Sequence, residues 1–482
     1  MRNIKDKFLY IIASISIVCA LSGCHFLEVE KLGKSDIEGY FKEFDGLKTA
    51  MYGAYSVTYD FYDSHFSKYA EVAGNMTRLS SVTSSDDMVD QYNFTSSPDQ
   101  ETTAVGYIWK NGFVIMSNVN NILYYAPGLK KSFPNNLRDI ELIEAQALFL
   151  RALTHLDITL CYGQHYTYTP DASHLGISVL TRLPAAGETI LRNSVKEVYD
   201  QILSDLNKAI EIFGDTPMTS AYYASADACK ALLSRVYLYM EDWDKAEQYA
   251  SEVIPKFPLT PREKYAEMYH NPDYLGSEAI FRLSGYKAGT TLKKFYDPTS
   301  PVATPADTLF SLFDNPDDVR LSLLKYTNDN GYTVNACTKF YIPDNTIPDE
   351  DRHYDPFVLR SSEMYLNRAE ARCKKGNLEG AASDLKTLIA RATGLSESSV
   401  NLTYSNSEEL MQLIVKERVK ELCFEGHNFF DITRRKSDLH RELSTNSVVR
   451  YMAYPSDYFV LPIPQIEMDS NIGIQPNPTV NN

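Results

Sequence analysis

The amino-acid sequence predicts a mainly α-helical fold, and three segments with helical periodicity are the basis for this. Apolar residues recur at steps of three and four over residues 139–161 and again over residues 195–213, which places them on one face of each helix. Residues 227–260 repeat the pattern as two shorter helices joined by a turn. Because such a pair cannot bury its own apolar face, we expect the pairs to stack on each other or on flanking helices.

Both long helices have recognisable signals in the sequence. The apolar stripe of the first comprises Ile140, Ile143, Ala147, Leu150 and Ile158. The second helix begins after Ser194, and Glu197 follows three residues later, which is the spacing of an N-terminal capping box. Both segments are therefore predicted to be amphipathic helices with one face in the core.

The two helix pairs have the spacing of tetratricopeptide units. Residues 227–260 fit one 34-residue unit, with Ala246 at the contact between its helices. A second pair covers residues 362–392, with Ala369 and Ala381 in the corresponding positions. Trp243 falls in the first turn, where we favour packing over ligand binding. The sequence thus predicts tetratricopeptide-like helix pairs near residues 139–260 and 362–392.

The first residues of the chain predict export and lipidation. Three basic residues precede an apolar run over residues 8–21, which is too short for an ordinary transmembrane helix and ends at Leu21-Ser22-Gly23-Cys24. Residues 1–23 therefore read as a lipoprotein signal peptide. Cleavage before Cys24 would let this residue carry acyl chains such as palmitate that hold the protein at a membrane. A plain secretory peptide with a chance cysteine is the alternative.

Composition limits the partners and the organisation of the remaining chain. The net charge is −16 and no basic block interrupts it, so we expect no nucleic-acid binding and no membrane contact except through the lipid. After Cys24 the cysteines are odd in number and widely spaced, which predicts small buried side chains rather than disulfides. No linker rich in Pro, Gly or Ser divides residues 24–482, so we expect one domain.

Four ordered blocks of the chain resemble the SusD/RagB family. They span Glu144–Ala152, Leu359–Glu370, Glu417–Arg435 and Leu461–Pro478. The chain departs from the family pattern at Asn428, where arginine is usual, and it lacks the Trp often seen after the final Arg pair. The resemblance covers essentially the whole mature chain and implies a SusD-like fold with a loop-rich ligand-binding face.

The resemblance also implies a function. Family members look like outer-membrane lipoproteins that capture an oligosaccharide outside the cell and pass it to a SusC-like TonB-dependent transporter. In RagB-like members the captured nutrient is peptide. We therefore expect a cell-surface protein that binds a glycan, with peptide capture as the alternative, and that performs no chemistry on its ligand.

Two acidic segments of the chain could instead indicate catalysis or metal binding. The charged block from Glu417 to Arg435 is interpreted as a buried salt-bridge network rather than a catalytic site. A surface glycoside hydrolase remains an alternative, because two suitably placed carboxylates suffice for that reaction. The acidic loop of Asp344, Asp349, Glu350, Asp351 and Asp355 has oxygens of the kind that Ca²⁺ prefers, but without EF-hand spacing we expect no cofactor and no metal.

The ligand-contact residues are predicted from long irregular segments near residues 62–106, 167–191 and 261–356. Tyrosine is abundant, at 34 residues, and its ring offers an apolar face and a polar tip that suit sugars or peptides. Aromatic, amide and charged side chains in these loops are the rational candidates. The predicted contacts are Arg78, Asp86, Tyr92, Asn93, Tyr286, Tyr296 and Tyr341.

Overall fold

The computed structural model describes residues 37–80, 88–271, 274, 276–343 and 352–478. Its helices are α1 (Ile37–Tyr40), α2 (Phe44–Tyr62), α3 (His65–Val72), α4 (Val89–Asn93), α5 (Ala104–Ser132), α6 (Leu137–Tyr162), α7 (Val195–Phe213), α8 (Ala226–Tyr239), α9 (Trp243–Val253), α10 (Glu267–His270), α11 (Thr291–Phe295), α12 (Asp307–Phe310), α13 (Ser361–Lys374), α14 (Leu378–Thr393), α15 (Ser407–Leu422), α16 (Asn428–Arg434) and α17 (Gln465–Ser470).

The strands form small antiparallel ladders that lie between the helices. The strands are β1 (Thr77–Leu79), β2 (Ala279–Arg282), β3 (Ala303–Pro305), β4 (Lys325–Thr327), β5 (Thr333–Asn335), β6 (Phe357–Arg360), β7 (Leu439–His440) and β8 (Tyr451–Met452). They pair as β1–β3, β2–β6, β4–β5 and β7–β8. The prediction of a mainly α-helical fold is confirmed.

Long helices pack side by side in chain order. Helix α2 packs on α5, α5 on α6, α6 on α7 and α7 on α8. Helices α8 and α9 form one hairpin, α13 and α14 form another, and the two hairpins meet where α9 packs on α13. The predicted stacking of helix pairs is therefore confirmed.

The predicted local signals also appear in the structure. Ser194 and Glu197 form a complete capping box at the start of α7. In the first hairpin the Ser234 hydroxyl donates to the carbonyl of Ala246 at 3.0 Å, so the small residues do mark the closest contact of the two helices. The five cysteines after Cys24 are free and buried.

Helices α5 and α6 approach closely at Gly112. A Cβ atom there would lie 2.2 Å from Cδ1 of Ile158, which is far inside van der Waals contact. The absence of a side chain thus lets the two longest helices of the structure pack at this distance.

One predicted irregular segment contains a buried helix. Residues 62–106 include α3, in which seven of the eight residues, Phe66–Val72, are buried on every side. The helix has only eight residues, about two turns, so it is too short for a recurring apolar stripe to mark it in the sequence. The expected loop is therefore shorter than predicted.

The C-terminal segment, residues 457–478, returns to helices from the first half of the chain. The amide of Leu461 donates to the carbonyl of Cys161 at 2.8 Å. The Asn477 side chain donates to the carbonyl of Tyr162 at 2.7 Å. Trp109 is buried, and its indole N–H donates to Glu467 at 3.1 Å. The end of the chain thus closes over α5 and α6.

In the described part of the chain, no helix has both the length and the apolar character that crossing a membrane requires.

Candidate functional site

Part of the irregular segment 261–356 forms a surface rich in tyrosine. The rings of Tyr326 on β4 and Tyr341 lie 5.6 Å apart, edge to face, and both are partly exposed. Burial, the hydroxyl of Tyr326 and the carboxylate of Asp297 raise the pKa of Tyr341, whereas Arg352 lowers it. At neutral pH the Tyr341 phenol therefore keeps its proton and can donate a hydrogen bond.

A second exposed tyrosine lies beside the same short stretch of chain. Tyr286 is 55% exposed, and its ring centroid is 5.6 Å from that of His353, the residue next to Arg352. The ammonium group of Lys287 lies 5.1 Å from the Tyr286 ring. Residues 352–353 thus connect the two groups of aromatic side chains. We name the surface formed by Tyr286, Asp297, Tyr326, Tyr341, Arg352 and His353 the loop face.

Arg78 lies on β1, whose partner strand β3 follows Asp297 of the loop face closely in sequence. It is opposite Thr304 in the β1–β3 ladder, and the amide of Ser80 donates to Val302 at 2.7 Å. The segment from β3 back to Asp297 is continuous in sequence. Arg78 is half-buried. Burial of the Glu442 carboxyl raises its pKa, but hydrogen bonds from Ser444 and Thr308, together with the charge of Arg78, lower it overall.

Two of the predicted contact residues have a structural role instead. The Tyr92 ring is fully buried beneath the guanidinium of Arg441, at 4.5 Å, and its hydroxyl bonds to Thr445. Asn93 is almost as buried, and its side-chain oxygen accepts from Ser447 at 3.0 Å. Both residues hold the segment around residues 441–449, so neither reaches a ligand at this surface.

Tyr296 is also a core residue. It is 2% exposed, stacks on Phe340 at 5.5 Å and meets Phe424 edge to face at 5.3 Å. A ligand at the surface cannot touch this ring. We therefore retain Arg78, Tyr286 and Tyr341 as proposed contacts, while Asp86 and Cys24 lie outside the described residues.

Sequence reasoning missed four members of the loop face, namely Asp297, Tyr326, Arg352 and His353. All four lie in the irregular segment 261–356, which the sequence analysis proposes for binding. Their residue types, aromatic and charged, were the available signal. Their proximity to Tyr286 and Tyr341 arises from chain folding that short-range periodicity does not encode.

The charged block from Glu417 to Arg435 forms buried ion pairs, as predicted. Arg360 on β6 donates to Glu421 at 2.7 Å, to Glu278 at 2.8 Å and to Glu425 at 2.8 Å. Burial opposes ionisation of Glu425, but Arg360 and Lys339 outweigh it and lower its pKa to about 2. Glu425 therefore stays ionised near neutral pH, and all three carboxylates serve as acceptors for the surrounding cations.

No three His, Cys, Asp or Glu side chains come together to hold a metal ion within residues 37–80, 88–271, 274, 276–343 and 352–478. Of the acidic loop, Asp344, Asp349, Glu350 and Asp351 lie outside these ranges. Asp355 is buried and accepts from the amide of Gly285 at 2.8 Å.

A buried glutamate predicts an unusual pH dependence of stability. Burial raises the pKa of Glu71 from 4.5 to about 7, although the amides of Phe424, Gly426 and His427 oppose this. The folded protein therefore binds a proton that the unfolded chain has lost, and the resulting stabilisation disappears as pH rises from about 4.5 to about 7. We expect Glu71→Gln to remove this loss, worth about 3 kcal/mol, so that it stabilises the protein at pH 8 but not at pH 4.

Urea unfolding at several pH values measures this effect. Glu379→Gln, on the exposed side of α14, is the matched control and should leave the pH profile unchanged. Parallel profiles for the native chain and Glu71→Gln would contradict the prediction.

Two family models match separate parts of the chain. Residues 322–479 match a model described as "SusD family", and residues 25–238 match one described as "Starch-binding associating with outer membrane". The SusD-like protein P2 of Formosa agariphila is 25% identical, over 97% of this chain and 99% of that protein.

Solved structures show the same fold. A SusD superfamily protein from Bacteroides thetaiotaomicron matches with a TM-score of 0.79 and 24% identity, covering 90% of this chain and 99% of that one. A putative sugar binding protein from Bacteroides vulgatus matches with a TM-score of 0.77 and 24% identity, covering 90% and 98%. A SusD-like carbohydrate binding protein from the same species gives a TM-score of 0.72 at 19% identity, covering 89% and 97%.

Proposed function

Because the chain belongs to the SusD/RagB family, we propose that it is a cell-surface lipoprotein that binds an oligosaccharide or polysaccharide and delivers it to a SusC-like TonB-dependent transporter. The family description links such proteins to starch and to the outer membrane. Solved relatives named as sugar or carbohydrate binding proteins support a glycan as ligand. The sequence Leu21-Ser22-Gly23-Cys24 at the end of the signal peptide supports attachment by lipid at Cys24.

The loop face is the observation that carries this proposal. Sugar rings present C–H groups on one side and hydroxyls at the edge, so they suit a surface with exposed aromatic faces and polar groups beside them. Tyr286 and Tyr341 supply the faces, whereas Asp297 and Arg352 supply an acceptor and a donor. Arg78 lies at the adjoining β1 edge.

Peptide capture by the same mechanism is the second candidate. The loop face combines aromatic rings with charges of both signs, which would also accept a peptide's side chains and termini. A surface glycoside hydrolase is less well supported, because the carboxylates of the charged block are buried and ion-paired rather than displayed to a substrate.

A calorimetric binding screen tests the proposal. The chain from residue 25 onward is titrated with polysaccharides, their oligosaccharides and mixed peptides, and each recovered ligand is checked for cleavage. We expect one glycan class to bind and to return uncut. Binding of peptides alone would favour the second candidate, and shortened products would favour a hydrolase. Deletion of the gene should then abolish growth on the glycan that binds.

A further inference from the structure

A cleft of about 740 Å³ opens on another part of the molecule. Its walls are the turn before α9, the end of α13, one side of α15 and the residues that follow α16. The volume is in the range of small-ligand sites. No member of the loop face lines it.

Arginine exceeds carboxylate in the buried ion-pair cluster beside this cleft. Arg418 donates to Asp431 at 2.6 Å, and Arg434 donates to Asp431 at 2.7 Å. Arg434 also makes two bonds with Glu370, at 2.7 and 2.8 Å. Arg435 is a third guanidinium, and its nearest carboxylate oxygen, on Asp431, is 3.6 Å away. The carboxylates of Asp431 and Glu370 are thus already paired with Arg418 and Arg434, and the positive charge of Arg435 has no carboxylate partner of its own.

Arg435 also lacks hydrogen-bond acceptors. Its side chain is 14% exposed and lines the cleft. Its Nη1 is buried beside Asp431 and has no hydrogen-bond acceptor. Within the described ranges no other guanidinium N–H group of Arg435 donates a hydrogen bond, so these groups are the ones that could bind a ligand in the cleft. A largely buried guanidinium without acceptors is costly, and a carboxylate or sulfate group offers the paired oxygens that would satisfy it.

Another part of the cleft lining carries features that suit a sugar ring. Trp243 packs against the core, as predicted, but it is only partly buried and also lines the cleft. The ammonium group of Lys374, which is exposed, lies 5.9 Å from the Trp243 ring. The cleft lining therefore combines an aromatic face, the exposed cation of Lys374 and the largely buried cation of Arg435.

We propose that this cleft binds an acidic sugar residue of the captured glycan. The Arg435 guanidinium contacts its carboxylate or sulfate ester, and the Trp243 indole packs against its ring. This inference deepens the proposed function and rests on it. It adds a second binding site, which selects for negative charge, to the loop face. It also identifies the ligand class as acidic glycans.

Calorimetry with matched probes tests the proposal. Trigalacturonate supplies carboxylates, and its methyl ester is the same trisaccharide without charge. A κ-carrageenan tetrasaccharide supplies sulfate esters, and its desulfated form is the neutral partner. We expect one acidic probe to bind at least about tenfold more tightly than its neutral partner, and the identity of that probe distinguishes carboxylate from sulfate.

Substitutions then locate the binding. Arg435→Gln should remove the preference for the acidic probe, and Arg435→Lys should restore part of it. The control is Lys416→Gln, because Lys416 lines the same cleft but its ammonium group is paired with Asp314 at 2.6 Å. That variant should bind as the native chain does. An unchanged preference in Arg435→Gln would overturn the proposal, as would equal binding of acidic and neutral probes.

A stability measurement separates ligand binding from a structural role. If Arg435 mainly supported Asp431, Arg435→Gln would lower the melting temperature. If its charge is surplus, the variant should melt at or above the native temperature, and only the native chain should be stabilised by the acidic probe. Binding of neutral glycans at the loop face without any acidic preference would leave the proposed function intact and refute this inference alone.

Discussion

Replacing Arg360 by alanine is expected to lower the free energy of unfolding by about 3–5 kcal/mol. Arg360 is 1% exposed and neutralises Glu421 and Glu425 at once. Without it, the two carboxylates stay buried while only part of their counter-charge remains, from Arg320, Arg391 and Lys339. Removing one partner of a buried ion pair costs more free energy than the pair contributes, because the other charge then stays buried without a counter-charge.

Urea unfolding followed by circular dichroism measures the loss. Arg182→Ala is the control, since Arg182 forms its ion pair with Glu188 on the open surface, where solvent screens the interaction. Its unfolding midpoint should match that of the native chain. An Arg360→Ala midpoint equal to that of this control would show that the network is not needed for stability.

The double change Tyr286→Ala and Tyr341→Ala is expected to weaken binding of the native ligand at least about hundredfold. Both rings are accessible on the loop face, and their removal leaves the rings of Tyr326 and His353 as its aromatic members. The melting temperature should change little, because neither ring fills the core. Calorimetry with the glycan from the binding screen gives the affinity.

Two further pairs of tyrosines provide the controls. Tyr52 and Tyr124, at 54% and 71% exposed, lie on α2 and α5 away from the loop face, and their replacement by alanine should leave affinity unchanged. Tyr92→Ala and Tyr296→Ala should instead destabilise the fold by about 3–5 kcal/mol each, because both rings are buried. Lost affinity with the first pair would refute the assignment of the loop face.

These contrasts show what sequence patterns can predict here. The amphipathic prediction is correct for α7, which has one buried face. Residues 139–161 were correctly predicted as helical, but α6 is buried on nearly every side from Ala147 to Tyr162 rather than on one face, because several helices pack around it. Helix α3 was missed because it has only eight residues, too few for a recurring apolar stripe.

The interpretation of residues 417–435 as buried ion pairs is correct, but only part of the pairing is local, such as Arg418 and Arg434 with Asp431. Glu421 and Glu425 are paired with Arg360 and other cations from distant segments, which spacing within the block does not reveal.

The candidate site was less predictable, for a different physical reason. Tyrosine is amphipathic, so its presence in an irregular segment is equally compatible with a buried ring such as Tyr296 and an exposed ring such as Tyr286. Which of them faces solvent depends on contacts with residues far away in sequence, such as Phe424 for Tyr296. The surplus charge of Arg435 likewise becomes visible only after its neighbours' partners have been assigned.

The closure of α5 and α6 by residues 457–478 has a consequence for the order of assembly. The chain is synthesised from its N-terminus, yet Tyr162 and Trp109 acquire their partners Asn477 and Glu467 more than 300 residues later. Contacts of such high sequence separation form late, because the intervening chain must first be ordered. The first half of the protein therefore stays incomplete until the last residues have emerged. This order of assembly suits the export proposed above, because a chain that has not yet folded can cross a membrane before its two ends meet.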